Sequence, residues 1–123
     1  MVGAVALWGL FSVSAGCGAV LRFLLDGVVS RRFLSSFPVG TLAVNLTGAF
    51  ALGVLDGSNA SRHVVFVCGT GLIGAYTTFS TWMFETQRLA EERQERRALA
   101  NIAVSVIAGV TLAALGMWVG GRL

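Results

Sequence analysis

The sequence predicts an all-α membrane protein of four transmembrane helices with a break in helix three. Three observations carry that reading. Only 12% of the 123 residues are charged and 55% are hydrophobic, against roughly 25% charged in a soluble domain. Asp, Glu, Lys and Arg are absent from four windows, 2–21, 33–55, 64–84 and 98–121. Each holds about 20 residues or slightly more, enough at ~1.5 Å rise per residue to cross a bilayer core. The third window contains Gly74-Ala75-Tyr76-Thr77-Thr78-Phe79-Ser80-Thr81-Trp82, with four Ser or Thr hydroxyls and three aromatic rings. At membrane depth such polar groups need partners within the protein or a cavity to line, so the run reads as a helix interruption.

Helix one is predicted over roughly 5–25, ended by Leu25-Asp26-Gly27, with Arg22 in its last turn beside the negative end of the helix dipole. A cleaved leader would need a basic start and a shorter apolar core, so the first span is read as retained. Helix two is predicted over 38–55, with Pro38 in its first turn. The segment 56–62 is rich in Gly, Ser and Asn, as turns are. Helix three is predicted over 63–88, with a break near 74–78. The stretch 85–97 alternates in sign and reads as a polar connector. Helix four is predicted over 98–119. The spans make one domain, 1–123. Gly53 and Gly57, and Gly116 and Gly120, are spaced four apart, which lets membrane helices approach closely.

Several chemistries are excluded. Cys17 and Cys68 lie inside spans and read as small buried packing residues. With His63 alone in a loop, no zinc set forms. Gly69-Thr70-Gly71-Leu72-Ile73-Gly74 matches the dinucleotide fingerprint in outline, but its neighbours are membrane spans and not a βαβ unit. The net charge of +3 comes with nine basic residues, all arginine, set at span ends where they anchor helices, so nucleic acid is not the partner. No nucleophile–base pair or metal cluster is present, so the chain is not an enzyme. No acidic residue lies in any window, whereas proton-coupled cation transport uses an embedded carboxylate.

Polar groups inside the spans leave two readings each. Asn45 offers amide donors and an acceptor, either for an interhelical hydrogen bond or for an anion path. Phe79 and Trp82 lie three apart on one helix face. They are either packing or a pair of positive ring edges presented to an anion. Asn101, Ser105 and Thr111 form a polar stripe on helix four, or bond their own backbone one turn back.

Three motifs resemble those of the CrcB/Fluc family of fluoride channels. Gly16-Cys17-Gly18-Ala19-Val20-Leu21-Arg22-Phe23 is similar to the family's helix-one signature. Gly40-Thr41-Leu42-Ala43-Val44-Asn45-Leu46-Thr47-Gly48-Ala49-Phe50 is similar to its helix-two signature. Gly71-Leu72-Ile73-Gly74-Ala75-Tyr76-Thr77-Thr78-Phe79-Ser80-Thr81-Trp82 is similar to the helix-three signature, the most specific of the three. Length and span number agree along the whole chain.

The resemblance implies a fluoride-selective passive channel that exports cytoplasmic fluoride and lowers its toxicity, multi-pass in the bacterial plasma (inner) membrane. It implies an antiparallel dual-topology dimer with two pores. A structural sodium ion, not transported, would sit at the dimer centre on the backbone carbonyls of Gly74 and Thr77. It assigns Asn45, Phe79, Trp82, Ser105, Thr78 and Arg22 to the fluoride pore or its vestibule. Trp82 stands where phenylalanine is the usual residue, and Asn101 where some members carry tyrosine. Selectivity would come from a narrow path whose neutral donors replace the water of a small, strongly hydrated anion.

The arginines add one expectation. Alternating spans put Arg31, Arg32, Arg88, Arg93, Arg96 and Arg97 on one side, with Arg62 and Arg122 on the other, six against two. That bias favours a single orientation with both termini outside. The second subunit is therefore either this chain or a homologous partner of opposite bias. The alternatives are a small four-helix multidrug exporter, which needs the absent embedded glutamate, and a structural membrane subunit.

Overall fold

A computed structural model describes residues 2–123. It is all helical, with four helices long and apolar enough to cross a membrane. Helix one spans Val2–Arg32, helix two Val39–Gly57 and helix four Glu95–Gly120. Helix three runs over Arg62–Glu91 as a whole, with its second half, Ser80–Glu91, starting anew after a break. The large apolar residues point outward. Val5, Phe23, Leu99, Ile107 and Val110 are all exposed, an arrangement that water penalises and lipid does not.

Helix one runs past Leu25 and Asp26-Gly27 to Arg32, so Arg22 is not in its last turn. The reason is local and tertiary. Ser30 Oγ donates to Asp26 Oδ1 at 3.1 Å, one turn back. Gly40 of helix two also sits so close to Asp26 and Ser30 that a Cβ there would meet both. Packing thus carries the helix through a glycine that costs only about 1 kcal/mol in a helix interior. Pro38 immediately precedes helix two. Ser61 Oγ accepts the Val64 N–H at 3.3 Å and starts helix three, as a serine cap does.

Helices two and four form the most extensive contact in the chain. A Cβ at Gly53 or Gly57 would strike the Ala113 or Met117 carbonyl, and one at Gly116 or Gly120 the Phe50 or Val54 carbonyl. The four-residue glycine spacing therefore does what it predicts: it brings two backbones together. Gly18 plays the same part against the Leu72 carbonyl of helix three.

The first half of helix three is wound wide. Val65–Ile73 is π-helical, and the Gly74 N–H reaches the Gly69 carbonyl five residues back. Gly69 and Gly71 of the fingerprint-like run fall in this segment and Gly74 follows it, with no strand before them. Ser14 Oγ of helix one donates to the Val67 carbonyl at 2.9 Å and ties the wide turns to their neighbour. Cys68 is half-buried, whereas Cys17, expected to be buried, lies on an exposed face, because helix one turns that side away from the other three.

One end of the bundle is polar. Arg88 pairs with Glu85 at 2.8 Å and Glu92 at 3.2 Å, and its Nη2 donates to the Ser36 carbonyl at 2.9 Å. Ser36 Oγ also donates to Gln94 Oε1 at 2.9 Å. These bonds hold the loop between helices one and two against the turn between helices three and four.

Candidate functional site

The break in helix three falls at residues 77–79. That is later than the 74–78 expected from the glycine and hydroxyls. Thr77 N–H still donates to the Ile73 carbonyl at 2.9 Å. Thr77 itself turns extended, with φ −81° and ψ 162°. Asn45 explains where the helix stops. Its Oδ1 accepts the Thr78 N–H at 2.8 Å, and its Nδ2 donates to the Thr78 carbonyl at 2.8 Å. Helix two thus clamps both faces of one residue's backbone. The Gly74 carbonyl, which a continuous helix would offer to Thr78, receives no backbone N–H.

Downstream, the Thr78 hydroxyl donates to Thr81 Oγ1 at 3.1 Å and accepts the Thr81 N–H at 3.2 Å. Thr78 therefore organises the start of the second half-helix, with the Ser80 hydroxyl also 3.4 Å from its own. Arg22 Nη1 donates to the Thr77 carbonyl at 3.3 Å. The cation of helix one thus lies at the same break.

A cavity of about 340 Å³ opens beside the clamp, lined by Asn45, Gly48, Ala49, Leu52, Gly69, Ile73, Gly74, Thr77, Thr78, Phe79 and Trp82. None of these residues carries a charge. Phe79 and Trp82 stand nearly perpendicular, ring centroids 5.6 Å apart at 83°. Phe79 is 70% exposed, so it borders the cavity from its open side. A second chamber, about 180 Å³, is lined by Ala19, Arg22, Phe23, Asp26, Thr41, Val44, Thr78 and Thr81. Thr78 belongs to both. A polar recess of about 200 Å³ follows, sharing Asp26 and Thr41 with the second chamber and adding Ser30, Ser35, Glu85 and Arg88. The three cavities make a series from the polar end of the bundle to the break.

Of the sequence-predicted residues, Asn45, Thr78, Phe79 and Trp82 share the first chamber with Gly74 and Thr77, and Arg22 lines the second. Ser105 is half-buried on helix four and lines neither chamber. The Trp82 N–H does not stand free, since it donates to the Asn101 carbonyl at 3.1 Å. Sequence reasoning passed over Thr41, which is buried, and Thr81. Thr81 was open to discovery, lying three residues after Thr78 at the start of a helix. Thr41 carries no signal beyond its place in the helix-two motif.

The oxygen set at the break suits a hard cation, which prefers carbonyl ligands. Gly74 is exposed and its carbonyl lacks a backbone donor, while the Thr77 carbonyl accepts only the long bond from Arg22. One chain supplies two such oxygens, fewer than the about six that cations of this kind take.

Four membrane-capable helices, two of which line an uncharged chamber at a helix break, make a small multi-pass membrane protein. Residues 9–117 match the family model described as CrcB-like protein, Camphor Resistance (CrcB), and the chain belongs to that family. It is 54% identical over 115 residues to "Fluoride-specific ion channel FluC 2" of Mycobacterium tuberculosis, covering 94% of this chain and 91% of the relative. The protein of that name from Mycolicibacterium paratuberculosis is 56% identical over 112 residues, covering 91% and 92%. "Fluoride-specific ion channel FluC 1" of Leifsonia xyli is 43% identical over 114 residues, covering 89% and 83%. The family expected from the three motifs is the family found, and its named members are channels and not enzymes.

Proposed function

We propose that the chain is the subunit of a fluoride-selective, passive channel that lets fluoride leave the cytoplasm through the inner membrane. The observation that carries the reading is the uncharged chamber at the break, where Asn45, Thr78, Phe79 and Trp82 meet. An anion there is met by dipoles and ring edges, with no countercharge to hold it. Arg22 lines the adjoining chamber and reaches the Thr77 carbonyl at the break, where its charge raises the local anion concentration. A narrow series of donors favours a small anion over chloride.

The functional unit is a pair of subunits. A single chain leaves Phe79 and Gly74 open, and an antiparallel second copy would cover both. Gly74 and Thr77 would hold a structural sodium ion jointly with the same residues of that copy, and the ion would supply a fixed positive charge that bridges the pair. The arginine bias of six against two makes a homologous partner of opposite bias the alternative to self-pairing.

Purified chain in liposomes, followed with a fluoride electrode, tests the reading. Fluoride should run out down its gradient with no proton or ATP supplied. Silence from the chain alone and from the chain with an oppositely biased homologue would reject it. Terminal tags accessible from both sides of the vesicle would establish the antiparallel arrangement; access from one side only, in a conducting preparation, would reject it.

A further inference from the structure

The Trp82 indole is tied to helix four by a closed circuit of hydrogen bonds. Its Nε1–H donates to the Asn101 carbonyl at 3.1 Å. Asn101 Nδ2 donates to Thr86 Oγ1 at 2.9 Å, and Thr86 Oγ1 donates to the Trp82 carbonyl at 2.8 Å. Asn101 is 1% exposed and is among the largest fully buried side chains. The backbone carbonyl of Asn101 thus holds the far edge of the indole, and its side-chain amide, through one hydroxyl, the backbone from which the indole springs. The ring so held stands perpendicular to Phe79 in the wall of the first chamber.

We propose that Asn101 is a positioning residue that sets permeation through Trp82. Its amide, bonded to Thr86, holds helix four against helix three so that its backbone carbonyl takes up the indole N–H; the chamber then meets an arene wall that lacks a strong donor, and the fixed ring fixes the width beside Phe79. The inference rests on the channel reading above. A free indole N–H would bind an anion in place and slow its exit. A loose ring would let the passage widen, and larger anions would then enter. A tryptophan without such a tether has two wide rotamer wells about its second torsion. The bond from the indole to the buried Asn101 backbone restricts it to one.

The test is a double-mutant cycle read on flux and on ring order. Asn101→Leu keeps the volume and the backbone carbonyl and removes the amide. Trp82→Phe removes the N–H that needs a partner. With Trp82 intact, Asn101→Leu should lower fluoride efflux about tenfold, the factor that corresponds to loss of roughly one net hydrogen bond, and should admit more chloride. Added to Trp82→Phe, the same change should do little, since the ring it positions is gone. With Trp8 and Trp118 replaced by phenylalanine, the remaining indole reports directly, and Asn101→Leu should lower its anisotropy and shift its emission. Should Asn101→Leu fail to assemble, Thr86→Val, which cuts the same circuit at the hydroxyl, takes its place. Equal losses with and without Trp82→Phe, or an unchanged indole signal, would overturn the proposal. Absence of fluoride flux in the wild-type chain with an oppositely biased partner would instead remove the channel reading, and the tether would then be judged on the indole signal alone.

Discussion

Asn45→Ala removes both hydrogen bonds that stop helix three at Thr78, each 2.8 Å long. Interhelical bonds in membranes contribute ~1 kcal/mol apiece. Together the two are worth ~2 kcal/mol, or about 30-fold in the population of the clamped break, since ~1.4 kcal/mol is a factor of ten. Nothing else on helix two reaches the Thr78 backbone, so no neighbour restores the clamp. The freed Thr78 N–H would then turn back to the Gly74 carbonyl, and the helix would heal through the chamber. Fluoride efflux should fall by about the same 30-fold factor, while the glycine seam of helices two and four keeps the subunit folded. Amide hydrogen exchange gives a second readout. Healing the helix should slow exchange at Phe79 and Ser80, whose N–H groups have no helical partner while the break stands. Undiminished efflux from a monodisperse Asn45→Ala protein would refute the clamp as the basis of the passage. Asn45→Asp is the companion variant. It keeps an acceptor for the Thr78 N–H but sets a carboxylate against the Thr78 carbonyl and the anion, so it should conduct less than the alanine variant.

Four further outcomes are expected. Phe79→Ile removes the ring edge while keeping bulk, and fluoride flux should drop at least tenfold with assembly intact on size-exclusion chromatography; full flux would take Phe79 off the path. Gly116→Val drives a branched side chain into the Phe50 carbonyl and the Val54 N–H, an overpacking cost of roughly 1–3 kcal/mol, so the thermal stability of the detergent-solubilised protein should fall clearly. Arg22→Gln removes a charge beside the break and should reduce efflux a few-fold at low salt and less at high salt, because screening already mutes the charge there. Replacing sodium with a bulky organic cation throughout preparation should lower the flux of an otherwise assembled pair, and unchanged flux would remove the structural sodium from the account.

The spans were legible because lipid imposes a coarse rule, a charge-free window of fixed length, that needs no knowledge of neighbours. The seam between helices two and four was legible for a similar reason, since Gly53, Gly57, Gly116 and Gly120 announce close approach by spacing alone. The end of helix one was not. Asp26-Gly27 has the local look of a stop, and only the fit of Gly40 against Asp26 keeps the chain helical to Arg32. The break was legible as an event but not as a position, because its place is set by an amide 33 residues upstream. The π-helical winding of Val65–Ile73 has no sequence signature apart from its glycines. The same holds for the site. Composition and motif singled out Asn45, Phe79 and Trp82. They could not say that the Trp82 N–H turns to the Asn101 backbone, that the Thr78 hydroxyl turns to Thr81, or that Ser105 stands apart from both chambers. Each of those depends on contacts between helices far apart in the chain.

Paired fluoride and chloride electrode traces from one batch of liposomes, with the chain reconstituted alone and again with an oppositely biased homologue, bear most directly on the central claim. An uncharged chamber at the break, closed by the second subunit, should empty the vesicles of fluoride while chloride stays inside. Both halides leaving together would mean that the chamber does not select by size and hydration.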